Sequence, residues 1–360
     1  MIKREEIKSL TGLRGVAAFM VMLYHFKFSN FFPSPINTAI NSTYLAVDLF
    51  FILSGFVMAL TYSHLFQNGF NIPSYKRFIL LRIARIYPIY FITTLLTIIL
   101  FILFPSNNDF HHPITAFHVT LNMTMTQAWG FSRSYLIPAW SISTEFAAYL
   151  VFPFLLHHLL SGSFKKSASI GFALFFSIFI LSLIPDSMIF LGKKGDPMNI
   201  WNEYSFGPLM RCLLEFSIGI ICYRIFSAKD IIQKVQHPYV SLITSISILC
   251  LLSIKGADFL VIALFPVLIL SLTNAQSAVS KTLSSWPCYQ LGLISYSLYL
   301  IHHMTYFIKP QIMDFIHTYH IPHDYLVAII IQTLISIILA YASYLLIEKP
   351  GRSLLRKVWS

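Results

Sequence analysis

Apolar residues in this chain gather in long blocks near residues 10–28, 44–63, 87–105, 140–160, 166–184, 205–226, 238–254, 257–273, 289–308 and 325–347. Each block runs for roughly 17 to 23 residues, enough to cross a hydrocarbon core as a helix. Backbone in lipid must satisfy its own hydrogen bonds, so the blocks predict an all-α, polytopic transmembrane helical bundle. One weaker block, 114–130, carries His118, Asn122, Thr124, Thr126 and Gln127. Its polarity predicts a re-entrant or interfacial segment, which leaves about ten spans.

The lysines and arginines test that count. Ten spans put both termini on one side of the membrane. Eighteen basic residues then share that side, among them Lys3, Arg4, Lys76, Arg77, Arg82 and Arg85. Six, including Lys193 and Lys194, fall on the other side, and Arg211 lies within a span. The excess assigns both termini to the cytoplasm. No linker, low-complexity tract or internal repeat divides the sequence, so residues 1–360 are expected to form a single transmembrane domain. The start, MIKREEIKSLTGLRG, is basic ahead of an apolar run, but no small-residue cleavage site follows. The first helix is therefore expected to be retained.

Composition agrees: 56% of residues are hydrophobic and 11% charged, about half the charged share of a soluble domain. The net charge of +11 follows the loops of one side, which argues for membrane topology and against a nucleic-acid partner. The cysteines Cys212, Cys222, Cys250 and Cys288 lack paired spacing, and the histidines lack a ligand cluster. No disulfide framework or metal is expected.

Charged groups at membrane depth are expensive, and Arg14, His25, Asp48, Glu145, Arg211 and Glu215 fall there. Arg14 and His25 are eleven residues apart. That is about 20° past three helical turns and about 16 Å of rise, so they share one face. Alone, Arg14 would serve as an interface anchor and His25 as a packing residue. Asp48 enters the next span at the depth of His25, where a carboxylate would orient the imidazole as a general base. A structural polar pair is the plainer alternative. Ser54 and Gly55 permit close helix approach.

Arg82 and Arg85 are i, i+3 neighbours on the cytoplasmic side. They either bind anionic lipid or, with Arg14, form a basic mouth suited to a polyphosphate. Ser141 and Glu145 share a face at the outer start of a span, and Glu145 needs a partner or a proton there. Arg211 and Glu215, four apart, read as an internal ion pair. In GLISYSLYLIHH, aromatics and hydroxyls at helical spacing read as packing, with His302 a weak site candidate. A basic cytoplasmic mouth joined along one helix face to a base suggests a charged donor that stays inside. Acyl-coenzyme A fits, its phosphates on the arginines and its pantetheine arm spanning the Arg14–His25 gap.

The ordered motifs resemble the acyltransferase-3 family of integral membrane O-acyltransferases over nearly the whole chain. LRGVAAFMVMLYHF is similar to that family's arginine-x10-histidine motif, and AVDLFFILSGFVM, LLRIARIYPIY, AWSISTEFAAYLVFP, SYSLYLIHH and IEKP to its later motifs. Ala46 replaces a usual glycine, and Phe146 replaces the second of two acidic residues whose first is Glu145. The resemblance implies His25 as catalytic and Arg14, Arg82 and Arg85 as donor-binding. Catalytic roles for Asp48 and Glu145 come from our own reading of the spacing. The resemblance also implies acetyl-CoA as donor, an extracytoplasmic glycan such as lipopolysaccharide O-antigen as acceptor, and the bacterial inner membrane as the site. A transporter or lipid-linked glycan flippase is the alternative, and should show matched halves with broken helices. A membrane sensor or scaffold is a third reading, in which His25 and Asp48 would tolerate replacement.

Overall fold

The computed structural model describes residues 6–104, 114–185 and 195–358, and their regular elements are helices. Lys3, Arg4, Lys193 and Lys194 of the charge count lie outside the described residues, as does the last residue of the 87–105 block. Ten long helices match the ten apolar blocks: α1 (Lys8–His25), α2 (Ala46–Tyr62), α3 (Ile72–Leu103), α4 (Ala139–Leu160), α5 (Phe164–Leu183), α6 (Gly207–Phe226), α7 (Pro238–Leu252), α8 (Asp258–Ser271), α9 (Trp286–Met304) and α10 (Asp324–Ser343).

Among the described residues, five helical segments are both long and apolar enough to cross a membrane. They are Ile36–Phe66, Ile72–Leu103, Ala139–Leu160, Phe164–Leu183 and Asp324–Val358. A sixth arises if α7 is joined to Lys229–Val235 across a 58° bend. The ten expected from sequence exceed this number for a physical reason. Helices α1, α6 and α9 reach 18 to 20 residues but carry charged or polar side chains inward, and α8 is apolar but has only 14 residues.

The polar block 114–130 forms a helix only over Ala116–Met123, about 12 Å long and too short to cross. Its polar groups meet the bundle instead: the Tyr90 hydroxyl donates to the Asn122 carbonyl at 2.7 Å, and Trp129 Nε1 to the Ser143 carbonyl at 2.9 Å. Helix α3 starts well ahead of its apolar block. Asn71 caps it by accepting from the Ser74 N–H at 2.9 Å, and Pro73 sits in its first turn. Arg82 and Arg85 therefore ride on a helix and turn into the bundle.

The most apolar stretch around α2 is 78% buried against 22% for α5, so α2 is central while α5 turns most of its surface outward. Two close helix pairs organise what lies between. A Cβ on Gly15 would stand 2.4 Å from the Gly292 nitrogen, which locks α1 against α9. A Cβ on Gly55 would stand 2.0 Å from the Phe216 carbonyl oxygen, which locks α2 against α6. Small residues let these backbones touch, the favoured way to join helices in lipid.

Candidate active site

The α1/α9 contact settles the face on which Arg14 and His25 lie. Arg14 Nη2 donates to Ser295 Oγ at 3.4 Å, and His25 Nδ1 lies 3.1 Å from His302 Nε2. Ser295 and His302 are seven apart on α9, about two turns, so one face of α1 meets one face of α9 at both ends. The shared face expected from spacing is present, with α9 as its partner.

Arg14, Arg82 and Arg85, predicted to form one mouth, line one cavity of about 570 Å³. Arg352 and Arg356 line it too, brought there by the C-terminal helix Lys349–Val358. Their i, i+4 spacing on one helix is the signal in the sequence that groups these two guanidiniums. Glu6 and Glu145 are the carboxylates in the wall, against five guanidiniums. Arg85 is paired with buried Glu348, which also accepts from Ser297 Oγ at 2.7 Å. Arg82 has no carboxylate partner among the described residues. It donates to the Tyr62 hydroxyl and stands 4.8 Å over the Tyr62 ring and 5.9 Å from that of Tyr149. A cavity with surplus guanidiniums is suited to a phosphorylated ligand.

Glu145 stands on the inner wall and accepts from the Tyr149 hydroxyl at 2.6 Å, which supplies the partner its depth required. Beside it, the Ser141 and Tyr299 hydroxyls are 2.8 Å apart. The Tyr299 ring is 6.1 Å from that of His302, which is 5.0 Å from that of His25. The imidazole pair thus stands one ring beyond the cavity wall, at the opposite end of α1 from Lys8.

Asp48 is not beside His25, and the proposed base–carboxylate pair is corrected. Both Asp48 oxygens are held by Arg211, through Nε at 2.7 Å and through Nη2. Arg211 also donates to the Ile200 carbonyl at 3.1 Å and lies 3.9 Å from Glu215, so the expected i, i+4 ion pair is the looser half of a buried triad. The reason is azimuth. Asp48 and Gly55 are seven apart, so the face that Gly55 presses on α6 also carries Asp48 there. Arg211, Glu215 and Gly219 repeat every four residues on the facing helix. The depth inferred for Asp48 held no information about direction. Among the described residues no group of three or more His, Cys, Asp or Glu could hold a metal ion.

Comparisons with known proteins place the chain in a family. The family described as an acyltransferase domain, acyltransferase-3, matches residues 7–345. The chain is 23% identical over 372 residues to a Bacillus subtilis protein named "Putative peptidoglycan O-acetyltransferase YrhL", covering 96% of this chain and 55% of that one. It is 26% identical over 372 residues to a Staphylococcus aureus (strain COL) protein named "Putative O-acetyltransferase SACOL0978", covering 97% of this chain and 58% of that one. It is 26% identical over 332 residues to "Acyltransferase MdmB" of Streptomyces mycarofaciens, covering 83% and 78%. The chain therefore spans little more than half the length of the first two relatives. No solved structure matches. A multi-pass helical bundle with a basic cavity, matched over nearly its full length, places this chain in the acyltransferase-3 family.

Proposed function

We propose that the chain is a bacterial inner-membrane O-acyltransferase that moves an acyl group, acetyl in the first instance, from cytoplasmic acyl-CoA to a hydroxyl of an extracytoplasmic glycan. In this reading ten helices span the membrane as one domain, both termini face the cytoplasm, and the mouth opens to that side. Arg14, Arg82 and Arg85, joined by Arg352 and Arg356, hold the donor's phosphates while its pantetheine arm follows α1 inward. His25 takes the proton of the acceptor hydroxyl as that oxygen attacks the thioester carbon. The tetrahedral intermediate collapses, the C–S bond breaks, and the proton passes from His25 to the departing thiolate. Glu145 orients the acceptor from the inner wall. Asp48 acts at a distance, by holding Arg211 and so α6.

The observation that supports this reading is the basic cavity lined by five guanidiniums, Glu145 and Tyr299, with the Tyr299 ring packed against the His302–His25 pair behind its wall. The relative named for peptidoglycan makes that polymer an acceptor to examine beside lipopolysaccharide. The test compares surface glycans from a deletion strain carrying the wild-type gene, His25→Ala or empty vector, with membrane levels of both proteins measured. Base-labile O-acyl signals in NMR should return with wild type alone. Equal restoration by His25→Ala would remove His25 as the base. No change in any glycan ester with wild type would move the transporter or flippase reading forward.

A further inference from the structure

We propose that His302 is the positioning residue that holds His25 in the tautomer a general base needs, the task that sequence spacing had given to Asp48. This inference rests on the reading of His25 as the base of an acyl transfer. It follows from the hydrogen bonds of the two rings.

His302 Nδ1 lies 3.0 Å from the carbonyl oxygen of Leu298, one helical turn back on α9. A carbonyl only accepts, so Nδ1 carries the hydrogen and the Nε2 of neutral His302 is a bare acceptor. His25 repeats the motif on α1: its Nδ1 lies 3.0 Å from the carbonyl oxygen of Val21. That same Nδ1 is 3.1 Å from His302 Nε2. His25 Nδ1 thus faces two acceptors and must be an N–H shared between them. The other neutral tautomer would set three lone pairs against one another. With Nδ1 protonated, the lone pair of His25 is on Nε2, which has no hydrogen-bond partner among the described residues.

The surroundings hold this arrangement. His302 is fully buried. Thr305 Oγ1 donates to its carbonyl at 2.7 Å, and the Tyr306 hydroxyl donates to the carbonyl of His25. The Gly15–Gly292 contact sets the spacing of the two helices. The other titratable groups around the pair are His303, Tyr299, Tyr24, Tyr306 and Lys27. Among the described residues no carboxylate lies within hydrogen-bond distance of either ring. A neutral imidazole suits a dry site: it stabilises the imidazolium formed when His25 Nε2 takes a proton, without the desolvation cost of a buried carboxylate.

The test uses the full chain in membranes, with acetyl-CoA as donor, unacylated surface glycan from the deletion strain as acceptor, and thiol release as the readout. His302→Leu keeps the volume and removes the acceptor, while His302→Gln places a carboxamide oxygen near the lost Nε2. We expect His302→Leu to lower kcat by about 100-fold or more, with the KM for acetyl-CoA within about threefold of wild type. His302→Gln should recover kcat to within about tenfold of wild type. Wild-type kcat in His302→Leu at equal membrane level would overturn the proposal. So would a well-expressed His302→Gln as inactive as His302→Leu. If His302→Leu does not accumulate, the Gln variant decides alone. Activity surviving in His25→Ala would instead defeat the underlying reading.

Discussion

Moving Asp48 from the base to a structural triad has consequences that stability measurements can reach. Asp48 is 0% exposed and Arg211 1%, and they share two charge-assisted hydrogen bonds. Removing one member of such a pair costs about 3–5 kcal/mol, because the other charge is left uncompensated in a dry interior. The two halves should not be equal. Asp48→Asn leaves Arg211 with Glu215 at 3.9 Å and the Ile200 carbonyl, and the asparagine oxygen still accepts one bond. Its cost belongs at the lower end, about 3 kcal/mol. Arg211→Met leaves Asp48 and Glu215 facing each other with no cation and should cost about 5 kcal/mol. At about 2 °C per kcal/mol for a chain of this size, the midpoints of thermal unfolding in detergent should fall by about 6 °C and about 10 °C. The double variant Asp48→Leu, Arg211→Met should recover part of the loss, since an apolar pair replaces a buried ionic one. Acyl transfer normalised to folded protein should survive in Asp48→Asn. If Asp48→Asn abolishes turnover with its melting midpoint unchanged, Asp48 belongs to the chemistry and the structural assignment is wrong.

Three further outcomes are expected. Gly15→Ala puts a methyl 2.4 Å from the Gly292 backbone nitrogen, so α1 and α9 must part and His25 must leave His302; transfer should drop by about 100-fold or more, and full activity would contradict the close contact. Arg82→Met removes a cavity guanidinium with no carboxylate partner among the described residues, so the KM for acetyl-CoA should rise by about 10- to 100-fold with kcat little changed, as judged by thiol release against donor concentration. Burial in the loop ahead of α6 pushes the Glu203 carboxyl from its ordinary 4.5 up to about 8, so the folded chain keeps a proton that the unfolded chain has released. Its contribution to stability should fall as pH rises from about 4.5 to about 8, and unfolding midpoints of Glu203→Gln across that window should lack this slope.

Much of the site was legible in one dimension because its logic is helical. Apolar blocks located the ten long helices, and polar residues within 114–130 marked a segment that folds against α3 and α4. An eleven-residue spacing put Arg14 and His25 on one face, and both meet α9. Arg82 and Arg85 were expected at a basic mouth, and they line its cavity. These features depend on the rise and turn of a helix, which neighbouring residues determine by themselves.

The partners were another matter. Spacing from the intervening loop suggested that Asp48 could reach His25, but the face it shares with Gly55 is pressed against α6, so it meets Arg211. His302 lies 277 residues from His25 in sequence, and it is the close packing of α1 on α9 at Gly15 and Gly292 that brings them together. Arg352 and Arg356 reach the cavity because the chain's last helix folds back over α3. Sequence alone determined where the apolar helices run and which residues share a helix face. Which face meets which was decided by tertiary structure, because packing depends on where two backbones can touch, and that is a property of pairs of distant segments.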